Sequence, residues 1–342
     1  MVRNSLQTLK LNIFVILFIV LFFVLVFNHK NKNKNCIFKK QLENFVSEME
    51  TEEKNIVNNK KINNIKVAIV SMVTKQPDFE YWLFYHLNIL KIDHIFLRVE
   101  DSPEYKELFE KYPNKITATF HNKEDIDMKH NYLTIMDRQK ENVNSGINKA
   151  LLKGIDYIFH SDADELIYVN GNKNKKAYNL RKFLFEVPIE YKNIHLKNFE
   201  AVFPNNEDKC FNTNKFIDCM KGQCLSYANG KSCGRVSDNL RFRGPHNFTG
   251  KTLNIDDNKL AILHFDSCTY KQWENKFDLL KDTNEEKMKK IPFPFYKNSI
   301  KKLQKCGGEK KKESNCKNEL NEYYNSQKIA PYNNKTTNLF DH

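Results

Sequence analysis

The sharpest chemical signal in the chain is a run of acids. Phe159, His160 and Ser161 lead straight into Asp162, Ala163, Asp164 and Glu165. Hard divalent cations prefer oxygen ligands, and Mg²⁺ or Mn²⁺ is usually shared between one or two carboxylates and the phosphates of a substrate. Asp162 and Asp164, at i and i+2 after an apolar strand, therefore suit a metal–diphosphate centre in which the cation offsets charge on a leaving group. The same spacing in a solvated acidic turn would carry no such meaning, so the placement after a strand and a long helix decides the reading. Glu165 reads as a support of the metal loop and not as a ligand.

The elements that must position these acids are legible from hydrophobic periodicity. Residues 66–73 form an apolar run of the kind buried in a parallel sheet. A helix is expected over 79–90, strands over 94–99 and 115–120, a longer helix over 132–153, and a strand over 156–161. Alternation of this kind argues for βαβ units and a largely parallel sheet, whose ligand crevice lies beyond the carboxyl ends of the strands. After residue 170 the alternation ends: apolar segments at 191–203, 233–236 and 259–265 read as strands between long loops, and an amphipathic helix begins near Tyr270.

Outside this region the composition is polar. Residues 28–64 read as a Lys-, Asn- and Glu-rich stem, with a loose helix over about 38–57, and residues 301–342 as a peripheral tail. Residues 1–10 form a short N-terminal tail, and residues 11–27 lack charge and read as an uncleaved transmembrane signal-anchor. The lysines that follow this segment point the rest of the chain to the cytosol. The eight cysteines and the sequons at Asn247 and Asn334 point instead to an oxidising lumen, and a type II membrane protein of the ER or Golgi is the resulting expectation. Eight cysteines allow 105 complete pairings, so spacing assigns none, and the four within 210–233 lack the CxxC knuckles of a zinc site. The net charge of +13 comes from scattered lysines, without the aromatic-interleaved stripe or reader motif that nucleic-acid binding requires.

Several blocks, taken in order, resemble the GT-A fold glycosyltransferases, and more narrowly the family 2-like and family 92-like enzymes. Residues 80–94 (EYWLFYHLNILKIDH) are similar to a segment E-W-x-x-Y-H-x-x-x-G-V-D-H, with Lys91 and Ile92 at the Gly-Val positions. Asp137, Arg138 and Gln139 with Ala150 resemble the helix before the metal strand, and residues 160–166 its D-x-D-E-F block. Residues 230–235, 244–248 and 263–265, with Trp273, Lys276 and Phe277, complete the series, so that the resemblance spans about 66–290.

The resemblance implies a GT-A catalytic domain over 65–300, a nucleotide-sugar donor (commonly a UDP-sugar), Mn²⁺ or Mg²⁺, a glycan or glycoprotein acceptor, and inversion at the transferred sugar. Asp162 and Asp164 become the metal motif, completed by a later histidine. His264, at the end of an apolar strand, is preferred, and His246 is left to donor or acceptor contacts. Thr74, Glu100 and Asp101, at the ends of the first two strands, fall to the nucleotide, and Arg138, Lys231 and Arg235 to the diphosphate. Asp208, with Glu207 beside it, is the expected base for the acceptor hydroxyl, although the glycines of the related loop are missing. Asp266 is either a further base or the residue that orients His264. Two rival readings are a phosphotransferase, disfavoured by the lack of a Walker or kinase signature, and a lectin-like or scaffold protein that retains the fold without catalysis.

Overall fold

The computed structural model describes residues 32–122, 124, 126, 131–172, 176–177, 179–203, 209–221, 224–255, 259–306, 314–329 and 337–339. The chain divides into two units, Met1–Asn63 and Asn64–His342. In the first unit a helix covers Lys32–Asn63, longer at both ends than the sequence suggests. Its described side chains are almost all exposed, as befits a segment without an apolar stripe.

The expected single-pass membrane placement is corrected by the structure. Among the described residues no helix is long and apolar enough to cross a membrane. The segment 11–27 that carried the expectation lies outside the described residues.

The second unit is mixed α/β and is built on a seven-stranded sheet in the order β14-β8-β11-β4-β1-β2-β3. These strands are β1 (Val67–Val73), β2 (His94–Glu100), β3 (Ile116–His121), β4 (Tyr157–His160), β8 (Tyr191–Leu196), β11 (Lys231–Arg235) and β14 (Lys251–Ile255). β1 pairs in parallel with β2 and β4, β2 with β3, and β14 with β8, while β11 runs antiparallel between β4 and β8. The strand reading of the sequence thus holds to within a residue or two for β1, β2, β3, β4 and β11, whereas the single segment expected over 191–203 begins with β8 but continues as a separate strand, and β14 was not expected. Side chains alternate across β1: Val67 and Ile69 enter one apolar cluster, Ala68 and Val70 the other, where Val143, Ile147 and Ala150 of the helix Asn131–Leu152 cover them. Burial on both faces is why β1 reads as a continuous apolar run.

A second sheet, ordered β16-β10-β9-β15-β5, contains β5 (Glu165–Val169), β9 (Asn198–Ala201), β10 (Lys215–Asp218), β15 (Leu260–His264) and β16 (Thr337–Asn338). Two small ribbons, β6 (Gly171–Asn172) with β7 (Lys176–Ala177) and β12 (Phe242–Gly244) with β13 (Asn247–Phe248), complete the strands. The acidic turn 161–164 lies where the chain leaves β4 of the first sheet for β5 of the second.

β5 is an edge strand, and an exposed edge leaves backbone groups unpaired. Here the helix Phe79–Phe84 and the π-turn Tyr85–Ile89 cover it. Trp82 Nε1 donates to Glu165 O at 2.7 Å and the Tyr85 hydroxyl to Ile167 O at 3.0 Å, while His86 Nε2 accepts from Ile167 N at 3.3 Å. The aromatic block 80–94 is therefore the clamp that aims the acidic turn. Lys91, at the position where the related segment carries glycine, adopts φ 57°, the left-handed conformation glycine favours.

The C-terminal segment differs from the expectation of a peripheral tail. Helices Pro294–Cys306 and Ser314–Lys328 pack Ile300, Leu303, Leu320 and Tyr324 around Trp273 and Phe277. Lysine and asparagine dominate the composition there and conceal a narrow apolar stripe.

Candidate active site

The acidic turn gathers a buried electrostatic network. Lys231, at the start of β11 and 2% exposed, places Nζ 2.5 Å from Asp162 Oδ2 and 3.5 Å from Glu165 Oε1. Gln139 Nε2 donates to Asp162 Oδ1 at 3.0 Å. Glu165 closes the turn by accepting from the Asp162 amide at 2.8 Å and from the Tyr227 hydroxyl. Burial would raise the Asp162 pKa, but the charge of Lys231, with His160 and His264 behind it, holds it well below the usual carboxylate range. Burial would lower the Lys231 pKa, and the attraction of Asp162 and Glu165 raises it instead. Glu165 is pushed up, by burial first, with the repulsion of Asp162 and Asp164 opposing the pull of Lys231.

Asp164 faces the other way, toward β15. His264 Nε2 stands 3.7 Å from Asp164 Oδ2. Asp164, His264 and Asp266 bring one ligand atom each within 4.8 Å of one another. Asp266 Oδ1 accepts from Lys276 Nζ at 2.5 Å, whereas Oδ2 is buried and has no hydrogen-bond partner among the described residues. On its far side His264 Nδ1 is 3.0 Å from Ser226 Oγ, which donates to Glu200 Oε2 at 2.9 Å. With that donation fixed, Ser226 Oγ can only accept from His264 Nδ1–H, so the Nε2 lone pair of a neutral imidazole points at Asp164. Two electron-rich atoms facing each other in a buried site need a positive charge between them. In the metal-free protein a proton serves: burial would lower the His264 pKa, but Asp164, with Asp266 and Glu165, raises it to about 9. Two carboxylates, one of them with an orphan buried oxygen, and one imidazole also fit Mn²⁺ or Mg²⁺.

A second group of ligating side chains, Glu200 with Cys219 and Cys224, also gathers among the described residues. It has a different explanation, because the two sulfurs form a disulfide. Disulfides also join Cys210 to Cys268 and Cys306 to Cys316, and Cys233 is a buried thiol.

Of the residues expected to serve the site, the structure brings Asp162, Asp164, Lys231, His264 and Asp266 together, with Asp266, expected as a base or as the group that orients His264, standing in the candidate ligand set. His246 is close by: its ring lies 5.2 Å from that of Tyr227, which in turn lies 4.8 Å from His264, and its Nδ1 is held at 2.5 Å from Gly230 O. Glu100 at the end of β2 is buried and accepts from Arg98 at 2.7 Å and Arg138 at 2.9 Å, so both Glu100 and Arg138 have a partner within the protein. Thr74 and Asp101 lie just past the ends of β1 and β2, with Asp101 taking Lys75 Nζ at 2.8 Å. Arg235 is at the wrong end for the diphosphate. It stands opposite Tyr157 at the start of β4, donates to Val187 O at 2.8 Å, and stacks on the Tyr157 ring at 4.8 Å. Proximity to Lys231 in sequence is misleading here, because β11 runs from the carboxyl end of β4 to its amino end and carries the two residues to opposite ends of the strands. Glu207 and Asp208 lie outside the described residues. Sequence reasoning missed Gln139, Ser226, Tyr227 and Glu200 as members of the site. Gln139 lay in a block already singled out, but the others had no signal, since they meet it only through tertiary contact.

No family model matches the chain. Two relatives from Arabidopsis thaliana, both described as glycosyltransferase-like, are 28% identical to it. One aligns over 228 residues, 54% of this chain and 49% of its own length; the other aligns over 152 residues, 37% and 29% respectively. Among solved structures, the 4-diphosphocytidyl-2C-methyl-D-erythritol synthase of Anaerococcus prevotii superposes with a TM-score of 0.25 at 13% identity, over 43% of this chain and 61% of that one. A mannose-1-phosphate geranyltransferase structure from Thermus thermophilus gives 0.23 at 10%, over 81% and 72%. Superpositions that loose carry no argument. The chain spans at most about half the length of the curated relatives it matches, and over that stretch it is similar to plant proteins described as glycosyltransferase-like.

Proposed function

We propose that this chain is a metal-dependent glycosyltransferase of GT-A type, family 2-like or family 92-like. It would move a sugar from a nucleotide-sugar donor of the UDP class to a hydroxyl of a glycan or glycoprotein, with inversion. The observation that carries the reading is the 3.7 Å approach of His264 Nε2 to Asp164 Oδ2 beside the unpartnered oxygen of Asp266, at the carboxyl ends of β4 and β15. The glycosyltransferase-like relatives support the same reaction class.

Asp164, His264 and Asp266 would hold Mn²⁺ or Mg²⁺, which when bound supplies Lewis-acid neutralisation of a diphosphate leaving group. Asp162, committed to Lys231 and Gln139, stands beside this set as a fixed charge. Lys231 contributes a preorganised ammonium that needs no reorganisation as charge develops. Thr74 and Asp101 remain candidates for the nucleotide, and His246 for the donor or acceptor. Asp208, with Glu207 as the alternative, would take the acceptor proton. Cys210, two residues after Asp208, is bonded to Cys268, which follows the ligands His264 and Asp266 on the same segment.

A donor-hydrolysis screen of the purified chain with UDP- and GDP-sugars and Mn²⁺ tests the reading, with Asp164→Asn as the control. Metal-dependent release of one nucleotide that disappears in the variant is the expected result. Binding of a donor without turnover on any acceptor would replace the enzyme with a lectin-like protein, and a folded chain that binds no donor would end both readings.

A further inference from the structure

The back of the candidate metal centre is built more elaborately than packing requires. Glu200, 3% exposed, sits on β9, beside β15. Its Oε2 accepts from Leu225 N at 3.0 Å, Ser226 N at 3.2 Å and Ser226 Oγ at 2.9 Å. Its Oε1 takes Lys328 Nζ at 3.3 Å, and Lys328 is itself 1% exposed, in the last turn of the helix Ser314–Lys328. One turn earlier on the same helix the Tyr324 hydroxyl donates to Ser267 O at 3.0 Å, and Ser267 holds φ 52° directly after Asp266. The C-terminal helix thus props the site at two points.

We propose that Lys328, Glu200 and Ser226 are positioning residues that fix the His264 imidazole, through the hydrogen bond to Nδ1, with Nε2 aimed into the space shared with Asp164. The inference rests on reading that space as a metal centre. Three features favour it over simple structural pairing. Every acceptor position on Glu200 Oε2 is directed at the segment that carries Ser226. The chain of bonds ends on Nδ1, the imidazole nitrogen that the approach of Nε2 to Asp164 leaves unused. An outer partner of this kind sets which nitrogen of a ligating histidine holds the proton and raises the basicity of the other. A buried lysine and glutamate also cost desolvation that an apolar pair would avoid, which suggests a role in geometry rather than in stability.

The test uses the full chain, Mn²⁺ alone as the probe, and two readouts. The first is the Mn²⁺ dissociation constant of the wild type and of Ser226→Ala, Ser226→Thr and Lys328→Met. The second is the exchange-protected imidazole Nδ1–H resonance in histidine-labelled protein, assigned by its absence in His264→Gln. Ser226→Ala should weaken Mn²⁺ roughly 10–100-fold and lose the protected resonance, with Ser226→Thr restoring both. Lys328→Met should shift both in the same direction. Wild-type affinity and an unchanged resonance in Ser226→Ala would overturn the proposal, and the same result in Lys328→Met would remove the C-terminal helix from it. If the wild type binds no Mn²⁺, the metal reading fails. The resonance alone then decides the relay: its loss in Ser226→Ala and return in Ser226→Thr sustain it, and its persistence in Ser226→Ala overturns it.

Discussion

Lys231 reaches across from β11 to Asp162 at the end of β4, and the two form a nearly buried ion pair with Nζ 2.5 Å from Oδ2 and Glu165 within 3.5 Å. β11 is the one strand of the large sheet that runs against its neighbours, so its first residue lies at the carboxyl end of β4. That reversal delivers a cation to the place where parallel strands collect carboxylates.

Removal of the cation leaves two carboxylates without their partner. Loss of one member of a buried pair costs about 3–5 kcal/mol. Asp162 keeps 29% of its side chain exposed, so solvent relieves part of that penalty. Lys231→Met should therefore cost about 3 kcal/mol in urea unfolding. A loss below about 1 kcal/mol would mean that the pair contributes little.

The β5 clamp predicts a pH dependence. His86 is fully buried, donates from Nδ1 to Trp82 O at 2.9 Å and accepts from Ile167 N, and burial lowers its pKa to about 3. Between pH 6.5 and about 3 the unfolded chain takes up a proton that the folded chain refuses. Stability from this group therefore falls as pH drops through that window, by about 1.4 kcal/mol per pH unit, and is flat above it. Equilibrium unfolding of His86→Gln across pH 4–6 should give a slope shallower than wild type by about that amount. Equal slopes would contradict a buried neutral imidazole.

Gly230 immediately precedes β11 at φ 61°, and a Cβ built there would lie 1.9 Å from Leu196 O. Its carbonyl also takes His246 Nδ1. An alanine must move backbone, not a flexible side chain, so Gly230→Ala should lower stability by more than about 2 kcal/mol. A melting temperature within a degree of wild type would show that β8 yields more easily than its pairing implies.

The Cys210–Cys268 bond closes 58 residues and ties the segment after β9 to the turn that follows β15. Chain-entropy arguments give a loop of that size about 4 kcal/mol. Double replacement by serine should lower the denaturation midpoint accordingly, and reduction of the wild type with a dithiol, which also opens Cys219–Cys224 and Cys306–Cys316, should lower it at least as far. An unchanged midpoint would place the constraint outside the folding transition.

By itself the sequence determined the strands β1, β2, β3 and β4, the helical segments that lead into β2 and β4, and the arrival of Asp162 and Asp164 at a strand end. Each follows from local periodicity, with the strongest runs where both faces of a strand are buried. The choice of His264 as a partner was also legible, because it ends an apolar strand and the resemblance asked for a late histidine. Tertiary structure alone decided the charge balance of the site. Asp162 and Lys231 are 69 residues apart, and Glu200 and Lys328 are 128 apart. No period or spacing encodes such meetings, since they depend on strand order and on one reversed strand. The same cause misplaced Arg235, which shares a strand with Lys231 but is carried by it to the amino end of β4. The C-terminal segment reads as peripheral for a related reason: its lysines and asparagines describe the face it shows to water, and only packing reveals that Tyr324 and Lys328 face the site.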